Sequence, residues 1–295
     1  MRFEQVIATI VISLLAGTVG AFLILMGHLP KAASTAKTET AMERVVKSGT
    51  LKCGYMLQPP YFMKDPNTNA FSGLWYELTE KIAALSHLKV VWAAETTERD
   101  MAADLQAGKF DVFCAGWPVG GARAQELIVT TPLHYSTLGV FARADDARFD
   151  AKPDAINRTE TTFSVRLDTP EHARLLLDFP AATRVAVPAE AADTRTIDAV
   201  LDKKADLLIA ERTAIEPYVN TVPSRLKEIS SSHALVPVGR AFALRPDQYA
   251  LRDFLNVGKQ NVLGSSFIES MLEKYTRLPG ALRAAEVGYS LPAGK

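Results

Sequence analysis

Several side chains in this sequence have the chemistry to bind or to react, and their spacing narrows what they can do. The five histidines, His28, His87, His134, His172 and His233, are scattered and no paired cysteines accompany them, so metal-ligand spacing is absent. Gly120-Gly121 is not followed by Lys and Ser or Thr, which excludes a phosphate-cradling loop. No Gly-x-Ser-x-Gly elbow offers a nucleophilic serine. The side chains that remain are ordinary when taken singly, since a loop arginine or a glutamate closing a strand is usually solvated and a ring is usually part of a core. Arg123 carries a guanidinium fork that can pair two carboxylate oxygens at once. Glu211 closes an apolar run, and Tyr61 and Trp117 offer flat rings able to stack on an apolar or cationic group. Asp168, with Glu171 three residues later, fits a capping box, so its first reading is a side chain that satisfies a helix end.

Composition sets the frame for these groups. The chain has 295 residues, 33 Lys+Arg against 33 Asp+Glu and 48% hydrophobic residues, which excludes disorder and leaves ample material for a core. A formal net charge of zero gives no general attraction to nucleic acid or anionic lipid. Two cysteines do not make a disulfide scaffold.

The elements that must position the groups are legible from periodicity. Val6 to Met26 is a 21-residue stretch without a charged side chain, long enough to span a bilayer. A secretory signal has a shorter apolar core of about 7–15 residues, so an uncleaved anchor is favoured over a cleaved signal. Residues 31–41 read as a linker. Beyond it, strands are expected at Thr50–Met56, Lys89–Ala93 and Phe110–Ala115, with helices at Leu74–Leu85 and Arg99–Ala107. That alternation implies right-handed crossovers and a parallel sheet. A second α/β unit follows, with strands at Thr162–Leu167, Arg184–Val187 and Asp206–Ala210 and helices at Pro170–Phe179 and Thr196–Lys203. Helical segments at Asp247–Val262 and Ser266–Tyr275 are expected to pack back on the first lobe.

The order of segments from Gly49 to Tyr275 resembles the family 3 extracellular solute-binding proteins, the polar amino-acid receptors of ABC importers. The opening strand Ser48-Gly49-Thr50-Leu51-Lys52-Cys53-Gly54 carries part of it, as do Gln58-Pro59-Pro60-Tyr61-Phe62 and Phe71-Ser72-Gly73-Leu74 with Glu77-Leu78. Leu105-Gln106-Ala107-Gly108-Lys109-Phe110-Asp111-Val112, then Ala115-Gly116-Trp117 and Arg123, is similar to the stretch leading into the family's ligand site. Lys204-Ala205-Asp206-Leu207 and Asn261-Val262-Leu263-Gly264-Ser265 resemble its second-lobe strand and C-terminal helices.

The resemblance implies an α/β, two-lobe periplasmic binding protein-like fold of type II with two hinge strands, near Leu138–Arg143 and Val238–Leu244. The expected layout is a signal or anchor helix over 1–30, a linker over 31–41, lobe 1 over 42–142 plus 241–288, lobe 2 over 143–240 and a tail over 289–295. It further implies that Arg123, seven residues after Gly116, clamps a ligand carboxylate, that Glu211, five after Asp206, meets a ligand ammonium, and that Tyr61 and Trp117 wall the ligand. The family's Gly-Thr at a helix N-terminus reads Asp168-Thr169 here, and Pro118 and Gly120 replace hydroxyl residues. An aspartate there repels an anionic group, so the expected solute is zwitterionic or cationic. Trp75 and Trp92 are assigned to packing. Cys53 and Cys114 fall on neighbouring strands; buried thiols are favoured over a disulfide because cross-strand geometry is restrictive.

The function implied is capture of a small polar, amino-acid-like solute for ABC-type import. It involves no cofactor, no metal, no catalytic residue and no nucleic acid. The expected protein is a monomer in the periplasm, held at the inner membrane by residues 6–26 unless the signal is cleaved, with an ABC permease or other inner-membrane protein as partner. Two alternatives stay open: an anchored sensory or accessory binding protein for a partner complex, and a cyclohexadienyl-dehydratase-like enzyme using Glu211 or Asp168 as acid or base. Peptidoglycan lyases of this fold carry a further domain, for which the 20 residues after Tyr275 leave no room.

Overall fold

The computed structural model describes residues 39–120, 122–150, 152–189, 191–192, 194–220, 223–229, 235 and 237–285, the side chains of 122, 123 and 153 excepted. The expected anchor at Val6–Met26, most of the linker and the tail over 289–295 lie outside the described residues. Among the described residues no helix is long and apolar enough to cross a membrane.

Helix α1 (Ala41–Ser48) starts at a capping box in which Thr40 and Glu43 satisfy each other's backbone N–H groups. It leads into β1 (Thr50–Tyr55), the short hairpin β2 (Met63–Lys64) and β3 (Phe71–Ser72), helix α2 (Leu74–Leu85), β4 (Lys89–Glu95), α3 (Met101–Gln106) and β5 (Val112–Pro118). Strands β4, β1 and β5 pair in parallel, as the strand–helix–strand pattern requires. A single-turn helix at Ala122–Gln125, β6 (Ile128–Val129) and β7 (His134–Ser136) follow. Then β8 (Leu138–Arg143) opens a second sheet, completed by β9 (Thr162–Arg166), α4 (Pro170–Asp178), β10 (Thr183–Val187), α5 (Thr194–Leu201), β11 (Leu207–Glu211), α6 (Arg212–Val219) and β12 (Leu226–Ile229). Its strand order is β10-β9-β11-β8-β12. The chain returns to the first sheet with β13 (Val238–Leu244), the helices α7 (Tyr249–Gly258), α8 (Gln260–Leu263) and α9 (Ser266–Lys274), and β14 (Leu282–Ala284), giving the order β14-β7-β13-β5-β1-β4 with β6 beside β13. The three C-terminal helices pack against α2 in the first lobe.

Two lobes result, and the chain crosses between their sheets at Thr137 and again between Ile229 and Val238. The crossings adjoin the strands expected as hinges, Leu138–Arg143 and Val238–Leu244, at their first residues. All of β11 pairs antiparallel with β8, which places β8 inside the second lobe, while β13 pairs with β5, β6 and β7 of the first. Both crossings thus precede the lobe boundaries expected at 142–143 and 240–241. Thr137 is held on both sides: its N–H donates to Ala281 O at 2.8 Å, and its own carbonyl accepts from Arg212 N–H at 3.0 Å.

Cys53 and Cys114 are bonded, with Cα atoms 5.5 Å apart, which corrects the expectation of buried thiols. In the parallel ladder Cys53 stands opposite Val112, two residues before Cys114 on the same face, so the side chains are diagonal neighbours within reach.

Candidate functional site

Chemistry-bearing side chains from both lobes meet at the junction. Tyr61 comes from the loop between β1 and β2, and Gly73 fixes where that loop lies. A Cβ at Gly73 would stand 2.5 Å from the Tyr61 carbonyl oxygen, and its φ of +118° disfavours other residues. The Tyr61 ring is 6% exposed, and its hydroxyl shares a hydrogen bond of 2.6 Å with Thr213 Oγ1 and donates at 3.5 Å to Glu211 Oε2. Burial, with the negative charge of Glu211 behind it, pushes the Tyr61 phenol up to about 12.

Glu211 ends β11 and occupies the N-cap position of α6 without capping it; its carboxylate is 7% exposed and points instead to Arg240. Arg240 Nη2 donates to Glu211 Oε1, and Arg240 Nη1 donates to the Gly116 carbonyl at 3.2 Å. Gly116 has φ +82°, and a Cβ there would run into the Trp75 indole at 2.2 Å, so only glycine lets this strand lie flat on Trp75. Opposite Arg240 in the β13–β7 ladder is His134, fully buried, its ring 6.2 Å from Tyr61 and 5.4 Å from Trp75. Neither nitrogen of His134 has a hydrogen-bond partner among the described residues. Burial and the Arg240 charge hold His134 down to about 3, so it is neutral at any ordinary pH. Arg240 Nε is also buried without a partner among the described residues, and Ser136 lies beside the Tyr61 hydroxyl.

Glu171 lies in the first turn of α4. Burial, then repulsion from Glu211, raises its carboxyl to about 7, with Arg240 acting in the opposite sense.

The expected site residues sort as follows. Tyr61 and Glu211 are brought together, and Gly116 joins them through Arg240. Trp117 is buried on β5 and packs edge-on against Phe113, with ring centroids 6.0 Å apart. Thr169 is the true N-cap of α4, accepting from His172 N–H at 3.2 Å. Asp168 is exposed at φ +59°. The capping assignment therefore moves by one residue, because Pro170 at the first helical position makes Thr169 the last extended residue. Arg123 lies in the turn Ala122–Gln125, its side chain outside the described residues. Trp75 and Trp92 are packed as expected, the Trp92 indole N–H donating to Glu80 at 2.9 Å. Sequence reasoning missed Arg240, Thr213, His134 and the placement of Glu171. Arg240 carried a signal, since it is the lone charge in the apolar run Val238–Leu244.

Comparison with known proteins bears on the fold and the family. No curated protein matches the chain. Among solved structures, the BvgS periplasmic VFT2 domain of Bordetella pertussis is similar with a TM-score of 0.66 at 17% identity, over 80% of this chain and 97% of that one. The putative binding component of an ABC transporter from Wolinella succinogenes, complexed with lysine, gives 0.63 at 15% identity over 78% and 97%. The ancestral amino acid-binding protein AncCDT-1, a precursor of cyclohexadienyl dehydratase, gives 0.62 at 18% identity over 80% and 99%. At these identities the likeness shows the fold, the two-lobe type II periplasmic binding fold. The family model for bacterial extracellular solute-binding proteins, family 3, matches residues 51–277, and the chain belongs to that family.

Proposed function

We propose that the protein captures an amino-acid-like solute, zwitterionic or cationic, at the junction of its lobes and hands it to an ABC-type permease from the periplasmic face of the inner membrane. The observation that carries the reading is the convergence of Tyr61 from one lobe with Glu211 and Thr213 from the other. In this reading Glu211 and Glu171 supply the negative charge for the solute's cationic group, Tyr61 and Trp117 wall it, and Arg123, Gly116 and Thr169 face its carboxylate. Asp168, exposed beside them, discourages acidic solutes. Neighbours described as binding lysine or as cationic amino acid solute-binding proteins support the charge class. Proteins of this family are typically periplasmic or extracellular, and a disulfide fits an oxidising compartment. Residues 6–26 serve as the membrane tether.

A thermal-shift panel of amino acids, polyamines, organic acids and sugars tests this. A ligand at 100 times its dissociation constant adds about 2.7 kcal/mol, a rise of several degrees at roughly 2–4 °C per kcal/mol. Stabilisation by lysine or arginine, lost in Arg123→Ala, supports the reading. Stabilisation by acidic solutes alone sinks it, and silence across the panel turns attention to an accessory role in a partner complex.

A second reading, dehydratase-like chemistry, is favoured by the placement of Glu171 in the first turn of α4, within reach of the Glu211 and Arg240 charges, where burial and Glu211 raise its carboxyl as a general acid requires. Turnover of a cyclohexadienyl acid, abolished in Glu171→Gln, would establish it.

A further inference from the structure

The lobes are fastened to each other by the chain's own side chains. Tyr61 reaches Thr213 at 2.6 Å and Glu211 at 3.5 Å. Arg166 Nη1, at the end of β9, donates at 2.8 Å to Glu98 in the first lobe. Arg277 N–H, before β14, donates to Glu216 of α6 at 3.4 Å. At the centre, Arg240 on β13 of the first lobe binds Glu211 on β11 of the second.

The Arg240–Glu211 pair differs from an ordinary structural salt bridge. Both groups are nearly buried, with side chains 15% and 8% exposed, so each needs the other. Yet the grip of Arg240 is incomplete: one amino group takes the carboxylate, the other the Gly116 carbonyl, and Nε is buried without a partner among the described residues. An unmet buried donor is costly. A guanidinium seated this way supplies Glu211 with the charge that a free cation would supply, while leaving one donor of its own unmet.

We propose that Arg240 is a tethered competitor for the solute's cationic group: it binds Glu211 across the junction, keeps the lobes closed without solute, and is displaced when a cationic solute enters. The displacement rests on the junction being the solute site; the closure does not. Such a competitor lowers apparent solute affinity by the fraction of time that it vacates Glu211. No titration near neutrality releases it through His134, which stays neutral, whereas Glu171, Glu211 and Tyr61 are the other ionisable groups that face the guanidinium.

Hydrogen exchange of the full chain in detergent tests closure with no solute present. Arg240→Met, which keeps the apolar stem, and Glu211→Gln, which keeps the shape, should each speed exchange of the amides at Tyr61–Phe62 and Arg212–Ile215 by about tenfold or more. In Arg240→Ala, ethylguanidinium should bind by calorimetry and restore slow exchange, with little binding to the wild type. L-arginine should bind Arg240→Ala at least about tenfold more tightly than the wild type. Slow exchange persisting in both Arg240→Met and Glu211→Gln overturns the closure. Equal binding of ethylguanidinium or L-arginine to wild type and Arg240→Ala overturns the competition. Failure of every amine to bind either protein, with exchange responding as expected, overturns the solute site and the displacement that rests on it while leaving the closure standing.

Discussion

The two lobes are built differently. The first gathers one continuous core from Val45 to Leu282, with the rings of Tyr55, Phe62, Phe71, Tyr76 and Trp92 in mutual contact and a disulfide across β1 and β5. The second divides its apolar residues between the two faces of its sheet. Leu138, Val140, Leu207 and Ile209 lie in one cluster with Phe163 and Phe179, while Phe141 and Leu208 lie in the other with Ile197 and Ile215. The alternation along β8 and β11 is the period of a strand covered on both sides. A divided core offers each half fewer neighbours to lose, so the second lobe is the one expected to open locally first, and the first to act as platform.

Four experiments break or sharpen that contrast. Phe163→Ala should cost about 3–5 kcal/mol, because the ring stacks on Phe179 at 5.4 Å in the smaller core. Calorimetry should then resolve a separate low-temperature transition for the second lobe; a single transition would mean that the lobes melt as one. Replacing Cys53 and Cys114 together by Ser should cost about 2–4 kcal/mol, and hydrogen exchange should show the loss in β1 and β5, levelling the lobes. If protection falls in the second lobe instead, the platform assignment is wrong. Tyr61→Phe removes the bond to Thr213 and should cost about 1 kcal/mol by denaturant titration, with faster exchange at the junction and unchanged exchange at β1.

The smallest effect concerns protons. The Glu171 carboxyl, raised from 4.5 to about 7 by burial and by Glu211, binds its proton more tightly in the fold than in the unfolded chain. Its contribution is complete below 4.5, declines as pH rises and is gone above about 7. Glu171→Gln should flatten that part of the stability–pH curve, and an unchanged slope would place the proton elsewhere.

Much of the frame was readable from local pattern. Helix α2 falls on the expected residues, and β9, β10 and β11 begin and end within one residue of expectation, because apolar spacing sets these elements before any tertiary contact forms. The family assignment rested on ordered fragments and holds over residues 51–277. What escaped were relations between residues far apart in sequence. Glu211 was expected at the ligand, but its binding to Arg240 depends on β13 lying in the first sheet, which no local periodicity reveals. The disulfide escapes a sequence reading because parallel register, not residue type, decides whether the sulfurs meet. The cap moved from Asp168 to Thr169 because Pro170 outweighs the acidic residue before it.

The bond between Cys53 and Cys114 also has a topological side. It closes a loop with a sequence separation of 61 that contains Tyr61, Trp75 and the whole of α2 and β4. A protease that cuts once anywhere inside that loop leaves two pieces still joined through sulfur. The nicked chain would run as one band without reductant and as two with it, and the Tyr61 half of the interlobe fastening would stay in place after the backbone had been severed.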